Sequence, residues 1–173
     1  MSNEFKDIFG EWRPEDSLLN SEKEERSERS QRQQQLKQVD VVNVYEGVMN
    51  YGTGIATKAE TFVLLKDYRG RELRIFVMRD IAYSISLALS NNLPDRPLTH
   101  DLMKTLLDKV KATITEVIID DLWQNVFYAK IRLASGDQAW EIDARPSDAL
   151  ALALRFRAPI YVADDVLEAA QGE

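Results

Sequence analysis

The sequence predicts an α+β fold, a hairpin-rich mixed sheet packed by helices, with internal duplication of a β-β-α unit. Three observations carry this reading. Runs dense in Val, Ile, Phe and Tyr are broken by short Gly-bearing turns, which marks strands and hairpins. Segments with apolar residues at helical spacing stand between those runs. The pattern then recurs: a shift of 65 residues lays TFVLLKDYRGRELRIFV over VFYAKIRLASGDQAWEI, aligning Phe62 with Phe127, Gly70 with Ser135, and Leu87, Ala88, Leu89 with Leu152, Ala153, Leu154.

Taken in chain order, residues 1–38 read as a flexible charged tail. Within it SEKEERSERSQRQQQLKQ has one leucine and no other strongly apolar side chain, so it has nothing to bury. Ahead of that stretch, Phe5, Ile8, Phe9 and Trp12 fall at i, i+3, i+4 and i+7, an apolar stripe suited to docking on a protein partner or on its own domain. Residues 39–173 form the domain. VDVVNVYEGVMNY opens it, followed by a hairpin around DYRGRE, a helix in IAYSISLALSNN, and a second helix in RPLTHDLMKTLLDKVKA. In that second helix Thr99 is the expected N-cap, and Leu102, Met103, Leu106, Leu107 and Val110 form the expected core-facing stripe. TEVIIDDL, a hairpin turning at SGDQ, the helix SDALALALRF, the strand PIYV and a short helix DDVLEAA complete it.

Composition narrows the class of function. A 45% hydrophobic content over 173 residues supports a sizeable core, and no run reaches the length of a membrane span. No cysteine is present, which excludes disulfides and thiolate metal sites, and a cytoplasmic location is expected. With 22 basic against 29 acidic residues the net charge is −7, opposite to the usual footprint of a nucleic-acid binder. A polyanion would therefore have to meet a local basic group or a bridging metal.

One stretch has more polar chemistry than its turn requires. In EIDARPSDALALALRF, Asp143, Arg145, Ser147 and Asp148 crowd the junction between a strand and an Ala/Leu helix, where a single capping oxygen would suffice. Asp143 and Arg145 share a face by the two-residue period, and Ser147 or Asp148 lies beside the helix N-terminal amides. Two readings stand. In one, Ser147 caps the helix, Asp148 satisfies first-turn amides and Asp143 pairs with Arg145; in the other, the group is a functional site. His100 is the sole histidine, and a place in the first helical turn favours its neutral form, as a general base requires. Asp120 and Asp121 are adjacent, so on a strand only one would face a pocket, and a turn is expected there.

The run RPLTHDLMKTLL, the pair Asp120–Asp121, FYAKIRL and above all EIDARPSDALALALRFRAPIYVADDVLEAA resemble the bifunctional nuclease domain family over roughly residues 40–170. The resemblance implies an endonuclease acting on RNA or DNA and a homodimer. On that reading the chemistry of the residues assigns Asp143, Arg145, Asp148 and His100 catalytic roles, with Ser147 and Asp101 at the substrate, and Asp143 with Asp148 holding Mg²⁺ or another divalent cation. The chain departs from the family pattern after its first hairpin, where Met78, Arg79 and Asp80 stand in place of a glycine and acidic residues. The alternative is a non-catalytic regulatory or adaptor protein that binds a protein partner or a small anionic ligand.

Overall fold

A computed structural model describes residues 35–50, 57–92 and 94–171. The expected docking segment 5–12 and the charged stretch up to residue 34 lie outside them. Leu36, Lys37 and Gln38, grouped with that stretch by composition, instead begin a strand, because backbone pairing to Ala163, Val162 and Tyr161 is indifferent to their side chains.

The first half of the chain gives β1 (Leu36–Asn50), β2 (Thr57–Asp67), β3 (Glu72–Phe76), α1 (Arg79–Leu89) and α2 (Thr99–Lys109). The second gives β4 (Thr113–Trp123), β5 (Val126–Ser135), β6 (Gln138–Ala144), α3 (Pro146–Phe156), β7 (Ile160–Ala163) and α4 (Asp164–Ala169). The seven strands form one mixed sheet in the order β3-β2-β1-β7-β4-β5-β6. Every neighbouring pair is antiparallel except β4 with β7, so β7 joins two three-strand meanders, each followed by a helix. The helices of the two halves begin at Arg79 and Pro146, 67 positions apart rather than 65, and β6 has seven residues where β3 has five.

Turn chemistry sets the hairpins. Gly70 at φ 85° closes β2 onto β3 through a left-handed position, and Asp67 Oδ1 accepts the Arg69 and Arg71 amides at 2.9 Å each. Gln124 and Asn125 both have positive φ, 50° and 62°, as a two-residue type I′ turn demands. Asp120 and Asp121 lie before that turn, in β4. This corrects the expected turn: a bulge between Ile119 and Asp121 inserts an extra residue, so Asp121 pairs with Tyr128 while Asp120 reaches Lys130 on the same face of the sheet.

The core lies on one face of the sheet. Val63, Leu65, Leu73 and Ile75 from one meander and Val117, Ile119, Ala129 and Ile131 from the other meet Ile81 and Ile85 of α1 and the run Ala149–Ala153 of α3. Apolar around its whole girth at that point, α3 is wedged between the sheet, α1 and α2, and its alanines permit the close approach.

The expected stripe on α2 is reversed. Leu107 packs against the core, but Leu102, Met103, Leu106 and Val110 are exposed, and the one fully buried residue of α2 is His100. The reason is electrostatic, because the face turned to α3 has to meet the charged groups on α3. Among the described residues no helix is long and apolar enough to cross a membrane.

Asp67 also clamps Arg71 through Oδ2 at 2.8 Å, and Arg71 continues to Asp164 at 2.8 Å, tying the outer hairpin to the start of α4. Asp67→Ala should lower stability by about 3 kcal/mol, the lower end for a broken buried pair because Asp164 still holds Arg71. A urea titration checks this, with the midpoint falling at unchanged slope.

Candidate functional site

The site grows out of the junction between β6 and α3. Arg145 is the N-cap in extended conformation, with Pro146 at the first helical position, where its fixed φ fits and no N–H is missed. The Arg145 carbonyl accepts the Asp148 and Ala149 amides at 3.1 and 3.0 Å, and no side chain caps the turn. Ser147 is buried, and neither it nor Asp148 has the capping role that one reading gave it. The surplus polar groups serve tertiary contacts instead.

Asp148 is the hub. Its Oδ2 accepts Arg145 Nε at 2.7 Å and its Oδ1 lies 3.2 Å from His100 Nε2. The His100 ring, 6% exposed, places Nδ1 3.0 Å from Ser84 Oγ on α1. Ser84 in turn accepts Arg155 Nη2 at 2.9 Å through Oγ and at 3.2 Å through its carbonyl. Arg155 gives Nη1 to the Ala151 carbonyl at 2.9 Å and Nε to Asp101 Oδ1 at 2.6 Å, while Asp101 Oδ2 accepts the Leu98 amide at 2.9 Å. That last bond makes Leu98, not Thr99, the N-cap of α2. Three helices are thus linked by one chain of hydrogen bonds that surfaces at Arg145, whose side chain is 68% exposed.

Burial, the largest single influence on Asp101, pushes its carboxyl up; the Arg155 bond, the Leu98 amide and neighbouring positive charge outweigh it and hold the group below the ordinary aspartate range. The bond to Asp148 makes Arg145 hold its proton more tightly than usual. Next to the Asp101–Arg155 pair lies a cleft of about 250 Å³, rimmed by Asn91, Asn92 and Lys104.

Four of the six expected site residues, Arg145, Asp148, His100 and Asp101, come together. Ser147 is adjacent but turned inward. Asp143 is elsewhere: it pairs with Lys130 while Ile142 pairs with Ile131, so it faces the side of the sheet away from the helices. Arg145 has left the strand and belongs to the helix cap, so the two-residue period that would have placed them together does not reach it.

A divalent cation held by Asp143 and Asp148 does not fit this geometry, since Asp143 faces the side of the sheet away from the helices while Asp148 stands in the first turn of α3. Among the described residues no three His, Asp or Glu side chains form a cation cage. Asp121 Oδ2 is buried with no hydrogen-bond partner among them, but its neighbour Asp120 already has Lys130 Nζ at 3.1 Å.

Ser84 and Arg155 are the residues that sequence reasoning missed. Each left a trace, a hydroxyl inside IAYSISLAL and a cation inside ALALALRF, where helix faces are otherwise apolar.

Comparison with known proteins places these elements in context. The model of the bifunctional nuclease domain matches residues 63–173, beginning inside β2 rather than near residue 40. Two uncharacterized proteins of Mycobacterium tuberculosis are 40% identical over 106 residues, which is 61% of this chain and 63% of theirs. Bifunctional nuclease 1 of Oryza sativa subsp. japonica is 27% identical over 105 residues, 58% of this chain and 32% of that protein. The aligned stretch therefore spans less than two thirds of each of these relatives.

The network sets an acid sensitivity. Because the Asp101 carboxyl is depressed in the folded state, its contribution is fully present above the ordinary aspartate range and is lost as pH falls through the depressed value. Asp101→Ala should cost about 3–5 kcal/mol at neutral pH, since Arg155 is left buried without its carboxylate. Denaturant midpoints measured from neutral to acid pH should show the variant losing less stability on acidification than the parent chain.

Proposed function

Since the chain belongs to the bifunctional nuclease domain family, we propose that it is a nuclease that hydrolyses phosphodiester bonds of RNA or DNA at the Arg145–Asp148 pair. The observation that carries the reading is an exposed guanidinium tied to a half-buried carboxylate at the start of α3, braced from inside by a buried histidine. Phosphoryl transfer asks for positioning and for stabilised charge on the non-bridging oxygens. Arg145 spends Nε on Asp148 and keeps its terminal N–H groups toward solvent, where a phosphate presents matching oxygens. The α3 N-terminus adds a positive end at the same place. Asp148, beside that phosphate, orients the attacking water and takes its proton. His100, with both ring nitrogens engaged, acts on Asp148 rather than on substrate.

On a surface of net charge −7, such a local group is what a nucleic-acid backbone needs to find. Labelled single-stranded RNA and DNA oligonucleotides, incubated with the purified chain in Mg²⁺ and in chelator, test the proposal. Arg145→Ala and Asp148→Asn should each slow cleavage by roughly 100-fold or more with the fold intact by circular dichroism, while Asp143→Asn cleaves at the parent rate. Absence of cleavage by the parent chain, or equal cleavage by all four proteins, would refute it.

A further observation bears on assembly: the outward face of α2. Leu102, Met103, Leu106 and Val110 form an exposed apolar strip flanked by Lys104, Asp108 and Lys109. Lys104 and Asp108 already pair with each other at 2.6 Å, so covering the strip strands neither charge, and the occupant proposed is a second copy of the chain, the two-fold assembly that the family resemblance implies. Sedimentation should show a dimer at micromolar concentration that Leu106→Glu converts to monomer. A monomeric parent chain would reject the assignment.

A further inference from the structure

The hydrogen-bond chain behind Asp148 contains more information than the distances alone, because its first donor cannot change roles. Arg155 is a permanent cation with donors only, and its side chain is 6% exposed. Its Nη2–H therefore occupies a lone pair of Ser84 Oγ, at 2.9 Å. Ser84 is 3% exposed, so its own hydroxyl proton needs an acceptor inside the protein. His100 Nδ1, 3.0 Å away, supplies it. A proton on Nδ1 would leave Ser84 Oγ accepting from two donors, with its own O–H unsatisfied beside a buried positive charge.

The other end of the ring independently requires a proton on Nε2. His100 Nε2 is 3.2 Å from Asp148 Oδ1. A bare nitrogen there would set a lone pair against a carboxylate, whereas an N–H donates to it.

From these two constraints we infer that Arg155 is a positioning residue for Asp148: through Ser84 it fixes His100 as the neutral Nε2–H tautomer, which pins one Asp148 oxygen while Arg145 pins the other. The relay turns a charge buried under α2 into a set orientation of the carboxylate at the surface. Its role in turnover rests on the nuclease reading; the tautomer does not. The division of work is clear in the geometry. Arg145 and Asp148 face the solvent and meet ligand, while Arg155, Ser84 and His100 are covered and act through them.

The full chain contains a single histidine, so ¹⁵N-histidine labelling of untagged protein gives one imidazole to read. At neutral pH the expected spectrum has a pyridine-type Nδ1 and a pyrrole-type Nε2. A pyrrole-type Nδ1, or two pyrrole-type nitrogens, overturns the inference. Ser84→Ala removes the donor to Nδ1, so that resonance should move to the position of a nitrogen without a hydrogen bond, and an unmoved signal also overturns it. With cleavage as second readout, Ser84→Ala should lower kcat about tenfold with KM unchanged, the scale seen when a supporting contact behind a functional group is removed. Unaltered kcat in a folded Ser84→Ala protein overturns the positioning role. A parent chain that cleaves nothing defeats the nuclease reading, and the nitrogen spectrum still decides the tautomer.

Discussion

The buried guanidinium of Arg155 is the constraint on which the arrangement of the helices depends. Removing such a cation from water costs several kcal/mol unless its donors are satisfied. Here four hydrogen bonds meet them, to Asp101 from α2, to the Ser84 hydroxyl and carbonyl of α1 and to a carbonyl of α3 itself. Each helix of the layer that holds the site thus contributes to one polar centre, and their relative positions follow from it. Apolar packing alone would hold α1 and α3 on the sheet, but it would not specify which face α2 turns inward.

That choice explains where sequence reasoning succeeded and failed. The strands, the glycine turns and the existence of every helix among the described residues were legible, because alternation, helical period and turn residues are local signals. The orientation of α2 was not. Its apolar residues outnumber its polar ones on the stripe judged inward, yet His100 and Asp101 go in, because their partners Asp148 and Arg155 lie 48 and 54 residues further along the chain. Asp120 and Asp121 failed for a smaller reason: a one-residue bulge places two neighbours on the same face, and nothing in the local pattern announces it. The site itself was half legible. Arg145, Asp148 and His100 stood out as unusual residue types in their places, whereas Ser84 and Arg155 matter only through contacts between distant segments, and Asp143 was misplaced because the strand ends one residue too early for its period to carry through.

The sheet shows how the two halves are joined. β7 has four residues, all of them paired, antiparallel to β1 on one side and parallel to β4 on the other. A strand so short has little stability alone, so its place depends on what flanks it. α4 follows at once, and its Asp164 reaches Arg71 at the outer hairpin and Lys37 on β1. The C-terminal elements thus bind the first meander to the second, and the matched family region, which begins within β2, includes the turn that receives them.

Electrostatics bring these parts to one conclusion. On the proposed nuclease reading, a chain of net charge −7 gains little from long-range attraction to a polyanion, so affinity comes from a short-range, oriented contact. Orientation is what the network provides. Asp148 would be free to rotate at the start of α3 if it faced only water. With a donor on each oxygen, it and Arg145 keep one geometry, and the donor on the inner side is itself set by a cation that never loses its charge. On the same reading, a site with one exposed arginine does not rely on accumulated charge, and its effectiveness rests on how little that arginine and its carboxylate move.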